Sequence, residues 1–170
     1  KPAKKTKVET EESAGVPKKV NWMGFTDAVK ASEKEPRKIF IDVYTDWCGW
    51  CKVMDNKTFT DTAIIRILNN KYYPVKLNAE TKESITFKNY KFDYKAEYKA
   101  NELAVALLNG QLSYPSLVLL TEDNNVLERI PGYQKPEMLK PMLTFLGDDV
   151  YKIKQWDVYL KEYNDSINAK

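Results

Sequence analysis

The run Lys38-Ile39-Phe40-Ile41-Asp42-Val43-Tyr44 constrains this chain more than any other stretch. It is β-branched and aromatic almost without a break. A strand with one wet face alternates apolar and polar residues; a strand covered on both faces does not. The run therefore predicts a sheet with helices on each side, the layered plan of an α/β protein. Asp42 is its one interruption.

Around that strand the punctuation gives the remaining elements. Phe25, Ala28 and Val29 form one face of a short helix that ends before Pro36. Cys51-Lys52-Val53-Met54 opens a second helix directly after the strand, and Ile64, Ile65 and Leu68 mark a third beginning near Thr60-Asp61. Tyr73 to Leu77 reads as the next strand. Between residues 80 and 100, Ile85, Phe87, Tyr90 and Phe92 alternate around Lys88-Asn89, which predicts a β-hairpin; a helical reading through Tyr90, Tyr94 and Tyr98 competes with it. A helix over Glu102–Asn109 closes at Gly110. Strands Ser116–Leu120 and Val126–Ile130 flank the turn Asp123-Asn124-Asn125. A last helical region follows Pro136, kinked or restarted at Pro141, and a polar helix with Val150, Ile153, Trp156 and Leu160 extends the chain. The order is β-α-β-α-β-β-α with additions. Residues 1–19 read as a solvated basic tail, 20–146 as the domain, and 147–170 as a helical extension.

Charge narrows the function. The chain has 27 Lys+Arg against 24 Asp+Glu, and the whole surplus of +3 lies in residues 1–20, so the body is neutral. A nucleic-acid binder concentrates base on one face of its domain, and this body does not. The Lys-aromatic stretch from Lys82 to Lys99 is broken by Glu83, Asp93 and Glu97, which marks it as a solvated insertion. There is no histidine, which excludes Ser-His and Cys-His catalysis and any His-ligated metal. The chain begins at Lys1 and not at Met, which reads as the removal of a preceding stretch, either a targeting segment or residues cut away when the chain was produced.

Both cysteines sit in Trp47-Cys48-Gly49-Trp50-Cys51-Lys52. Two cysteines make no disulfide framework and are two ligands short of a closed zinc site. A pair this close constrains little as a staple, which leaves redox exchange as the leading use. Placed after a buried strand, Cys48 falls at a helix N-terminus, where free backbone N–H groups and the helix dipole favour a thiolate. Cys51, one turn further in, is placed to attack a mixed disulfide formed on Cys48.

This motif behind an Ile-Phe-Ile-Asp-Val-Tyr strand resembles the thioredoxin superfamily. Asp42 matches that family's buried aspartate and Lys76 the lysine that pairs with it. Tyr114-Pro115-Ser116 matches its cis-proline loop, and Gly132 the glycine before its last helix. The resemblance covers roughly residues 20–146. With Lys57-Thr58-Phe59 following, it is similar in particular to exported bacterial thioredoxin-like proteins and to the C-terminal thioredoxin-like domain of DsbD. It implies a thioredoxin fold, a central mixed sheet flanked by helices, with an insertion before the cis-proline loop. Trp50 stands where the family usually has proline, and residues 80–100 are inserted.

The resemblance also implies roles. Asp42 is either an ordinary edge-strand charge or a buried carboxylate of raised pKa that takes the proton of Cys51. Lys76 is its partner or a plain surface lysine. Pro115, in cis, lets the Tyr114 backbone pair with an extended substrate. Trp47, Gly49 and Trp50 surround the reactive sulfur, while Trp22 and Trp156 are packing residues. No cofactor beyond the redox-active Cys48–Cys51 pair and no metal is implied. Oxidants of this fold usually carry histidine between their cysteines, so Gly49-Trp50 points to a reductase with a potential of roughly −270 mV. Its partners are then protein disulfides and a thiol donor, membrane-bound or free, met by a monomer in the periplasm or another exported location; a cytoplasmic paralogue of thioredoxin is the other reading. A binding module whose redox pair is incidental, and a two-cysteine metal carrier, remain as other readings. Residues 80–100 either border the Cys48 groove or cover a sheet edge.

Overall fold

A computed structural model describes residues 17–169, so the tail expected over residues 1–19 lies mostly outside the described residues. Four strands form the central sheet: β1 (Lys38–Tyr44), β2 (Tyr72–Asn78), β7 (Ser116–Leu120) and β8 (Val126–Pro131), in the order β2-β1-β7-β8. β1 and β2 are parallel, with Asp42 opposite Lys76, while β7 runs antiparallel to both β1 and β8. The sheet is therefore mixed and β1 is internal, which removes the edge-strand reading of Asp42.

Pleating sorts the side chains of β1. Ile39, Ile41 and Val43 pack with Phe25 and Ala28 of α1 (Phe25–Lys34) and with Leu103 and Leu107 of α4 (Glu102–Leu107). Phe40 points the other way. It joins Met54 of α2 (Gly49–Lys57), Ile64, Ile65 and Leu68 of α3 (Thr62–Lys71), and Leu139 and Leu143 of α5 (Pro136–Gly147). Each fully buried Ile, Leu or Phe contributes roughly 1.5–3 kcal/mol, so both faces are held by ordinary hydrophobic packing. Asp42 has the parity of Phe40 and so shares the face covered by α2, the helix that carries the cysteines.

Residues 80–101 form two small hairpins that stand apart from the central sheet. The first joins β3 (Ile85–Phe87) to β4 (Tyr90–Phe92), turning through Lys88 and Asn89 with φ of 52° and 63°. The hairpin reading is borne out and the helical one is not. Phe87 stacks edge-on against Phe25, 5.0 Å between ring centres, so this hairpin covers α1. The exposed edge of β2 is met instead by Met23, whose N–H and C=O bond to Pro74 and Lys76. The second hairpin pairs β5 (Tyr94–Lys95) with β6 (Ala100–Asn101).

The C-terminal part departs from expectation. Pro141 lies inside α5 and does not restart it, Pro136 being the proline of the first turn. The polar helix expected through Val150 and Ile153 is broken into a 3-10 turn, Val150–Lys152, and α6 (Trp156–Asn168). Asp149 has φ of 58°, outside the helical region, and its carboxylate is held 2.7 Å from Lys38 Nζ at the start of β1. Ile153 is 85% exposed as a result. Phe145 of α5 anchors α6 through the rings of Trp156 and Tyr159, each 5.2 Å away.

Candidate active site

α2 begins at the end of the buried strand after a four-residue connection. Cys48 is its N-cap: the Cys48 sulfur accepts the Cys51 N–H at 3.1 Å, and no acidic residue occupies the first turn. Cys48 and Cys51 form a disulfide, their Cα atoms 5.3 Å apart. The expected placement holds. A charge developing on Cys48 after reduction faces the positive end of the helix.

The two cysteines are 4% and 3% exposed, yet Trp47 and Trp50 beside them are 70% and 61% exposed. The disulfide thus lies at the floor of an aromatic rim. The Trp47 ring stands edge-on to Tyr114, 5.9 Å away, and Trp50 lies over Tyr133 at 5.3 Å. Pure core packing is excluded for both tryptophans. Gly49 has open space where a side chain would project. The Tyr114–Pro115 peptide bond is cis. Its loop is tied to the residue just past β8 by Gly132 N–H, which donates to Pro115 O at 2.8 Å from a backbone at φ 85° that favours glycine. Among the described residues, neither the N–H nor the C=O of Tyr114 is hydrogen bonded.

Beneath the disulfide helix, Asp42 is fully buried. Burial pushes its carboxyl up to about 6, although Lys76 pulls in the opposite direction. Lys76 Nζ donates to Asp42 Oδ2 at 2.6 Å, so the expected pair is present and the plain surface reading of Lys76 is not. The other oxygen, Oδ1, has no hydrogen-bond partner among the described residues. A buried carboxylate with one free oxygen and a raised pKa is chemically suited to take up a proton near neutrality.

Lys76 has a second carboxylate that sequence reasoning missed. Asp55 of α2 also accepts from its Nζ. The signal was available, because Asp55 follows Cys51 by four residues and so shares its helix face. Lys76 also lies 5.0 Å over the Trp22 and Tyr44 rings and 5.5 Å over Phe59. Trp22, expected only to pack, helps enclose this ammonium. Burial alone would lower the Lys76 pKa, and the two carboxylates more than restore it. Tyr133 and Glu80, whose carboxylate accepts the Trp47 N–H, were missed as well, and no local pattern announced them. Trp156 is far from this set, packed on Phe145. Among the described residues, no cluster of three or more His, Cys, Asp and Glu side chains is placed to hold a metal ion.

The family model Thioredox_DsbH, described as a protein of unknown function, DUF255, matches residues 12–147. The chain belongs to that family. The fold is that of thioredoxin: a solved DsbH oxidoreductase superposes with a TM-score of 0.58 at 12% identity, over 88% of this chain and 96% of its own. A thioredoxin from Thermus thermophilus gives 0.57 at 14% identity, over 75% and 87%. A putative disulphide-isomerase from Bacteroides thetaiotaomicron gives 0.54 at 21%, over 78% and 97%. In sequence, the chain is 28% identical over 71 residues to the thiol:disulfide interchange protein DsbD of Pseudoalteromonas atlantica, covering 41% of this chain and 12% of that one. An uncharacterized protein of Caenorhabditis elegans is 26% identical over 129 residues, 74% of this chain and 16% of its own length. The chain thus spans under a fifth of each of these two relatives.

Proposed function

We propose that this thioredoxin-fold chain is a thiol-disulfide oxidoreductase that reduces protein disulfides. The observation that carries the reading is the Cys48–Cys51 disulfide at the N-terminus of α2, rimmed by the exposed Trp47 and Trp50 and backed by a fully buried Asp42. A structural staple needs neither the exposed aromatic rim nor the carboxylate.

The reduced form starts the cycle. Cys48 thiolate attacks one sulfur of a substrate disulfide; a Cys48–substrate bond forms and the other substrate sulfur leaves as a thiolate that takes a proton. Cys51 then passes its proton to Asp42 and attacks Cys48 Sγ. The Cys48–Cys51 bond closes, the second substrate sulfur departs as a thiolate that takes up a proton, and two electrons have moved from the enzyme dithiol to the substrate. Lys76 holds Asp42 in place and offsets part of its desolvation. Tyr114 offers its unpaired N–H and C=O to an extended substrate segment, as a strand adds to a sheet edge. Trp47 and Trp50 wall the groove, and Gly49 keeps its floor low. A dithiol donor restores the enzyme by the reverse exchange.

Similarity to the DsbD segment supports an exported location and a membrane-bound donor, and a site complete within one chain supports action as a monomer. Cys51→Ser should accumulate partners linked through Cys48, visible as adducts that collapse on reduction. Adducts on Cys48→Ser in place of Cys51→Ser would reverse the two roles.

A further inference from the structure

Next to the disulfide lies a cleft of about 440 Å³ lined by Trp47, Glu80, Tyr98, Lys99, Leu112 and Tyr114. Two of these flank the reactive centre, since Trp47 precedes Cys48 and Tyr114 precedes Pro115. Three others, Glu80, Tyr98 and Lys99, come from the inserted segment. The insertion therefore does two things. Its first hairpin covers α1, and its second hairpin supplies a wall of the groove.

That wall is built rather than draped. Asn101 is fully buried, and its side chain ties the two ends of the insertion together. Nδ2 donates to Thr81 O at 3.2 Å and Glu83 O at 2.9 Å, and Oδ1 accepts the Leu103 N–H at 3.0 Å. The Asn101 N–H donates to Ala79 O at 2.7 Å. This anchors the hairpin whose tip carries Tyr98 and Lys99, with Lys99 at φ 51°. On the facing side, the Glu80 carboxylate accepts the Trp47 N–H and fixes that indole.

We infer that this cleft is a specificity pocket that takes an apolar or aromatic side chain flanking the cysteine of a disulfide-bonded polypeptide. The inference rests on the oxidoreductase reading and deepens it. Three aromatic rings and Leu112 supply the walls. The charges of Glu80 and Lys99 cancel, and Glu80 is already engaged by Trp47. Burial, reinforced by Glu80, holds the Tyr114 hydroxyl above its ordinary pKa, so it stays neutral. A substrate strand on the unpaired Tyr114 backbone necessarily projects side chains to either side of itself. One of those sides is this cleft.

The test uses short alanine-based peptides whose single cysteine is disulfide-linked to thionitrobenzoate. Phe, Leu, Lys or Glu is placed in turn at the two positions on each side of that cysteine. The protein is reduced beforehand and freed of reductant; Cys48 attack on the peptide sulfur releases the coloured thiolate, Cys51 then displaces the peptide thiol to leave the Cys48–Cys51 disulfide, and the second-order rate constant of this single turnover is read by absorbance. The expected result is a preference of about tenfold for Phe or Leu over Ala and Lys at one position, as for an apolar side chain entering a partly open pocket. In Tyr98→Ala the preference should fall below threefold, and in Tyr98→Phe it should persist. Equal rates at every position, a preference for Lys, or a preference unmoved by Tyr98→Ala would overturn the pocket while leaving the oxidoreductase reading standing. Should Tyr98→Ala fail to fold, the wild-type ratios decide alone. Failure of the wild-type protein to reduce any peptide, or free dithiobis-nitrobenzoate, would remove the oxidoreductase reading and the pocket with it.

Discussion

Strand β1 carries two buried charges of opposite sign, and its two ends treat them differently. Lys38 at the start is 2% exposed and bonds two carboxylates, Glu122 and Asp149, each at 2.7 Å. Burial alone would lower its pKa; the two partners raise it instead. Asp42, four residues on, is more deeply buried and has one ammonium, which it shares with Asp55. There burial wins, and one oxygen is left unbonded. An ion saturated by partners fastens structure, here the C-terminal segment to the sheet. An ion left short of partners changes its protonation state easily, and it sits under the helix that carries the disulfide. The difference ties one end of the strand to stability and fits the other to the proton-accepting role proposed for Asp42.

The largest effect expected is on turnover. Asp42→Asn should slow the resolving step at pH 7 about a hundredfold while sparing the first attack, the range typical of a lost general base. Rapid-mixing kinetics of mixed-disulfide formation and decay separates the two steps. Equal slowing of both, or none, would break the contrast. The same substitution reports on stability. A carboxyl raised to about 6 in the folded state and ordinary in the unfolded state is protonated in both below pH 4, so it then carries no ionisation penalty. As pH rises through 6 the native state must ionise a buried group, and stability is lost. The neutral amide of the variant escapes that loss, so the stability of Asp42→Asn relative to wild type should grow by about 2–3 kcal/mol between pH 4 and pH 8. Urea unfolding of the oxidised proteins at both pH values measures it.

At the other end the prediction is the reverse. Lys38→Met should cost about 1–2 kcal/mol, because Glu122 and Asp149 are left facing each other but can reach water. Turnover should stay within twofold. A large loss of turnover at constant fold would mean that the two ends of β1 are coupled, and the contrast would fail. The smallest effect belongs to Asp55→Asn. Asp55 raises the Asp42 pKa through its charge and competes for Lys76, so its removal should move the acid limb of the pH–rate profile to lower pH. An unmoved limb would show that Lys76 is not shared.

Much of this was legible in the chain itself. The unbroken apolar run made β1 a buried strand, and a carboxylate inside it had few innocent explanations. Cys48 and Cys51 follow that strand at a helix start, so their local geometry needed no tertiary information. Lys76 was matched to Asp42 through the resemblance to the thioredoxin superfamily, and the parallel register of β1 and β2 sets the two opposite each other. What escaped notice depends on distant approach. Nothing near Lys38 in the chain announces its ion pairs, because its carboxylates lie 84 and 111 residues away. Glu80 and Tyr98 reach the groove only because Asn101 ties the insertion down. The break at Asp149 was hidden because apolar spacing in Val150, Ile153 and Trp156 imitates a helix, while the Lys38 contact draws the chain out of it.

The redox equilibrium of the Cys48–Cys51 pair tests the central claim most directly. The protein is poised in glutathione or dithiothreitol buffers, quenched by alkylation, and the fraction carrying two labels is read by mass spectrometry. A reversible two-electron transition near about −270 mV is the predicted result. A potential below roughly −300 mV would mark a structural disulfide, and one near about −120 mV an oxidant; either would contradict a reductase built on this site.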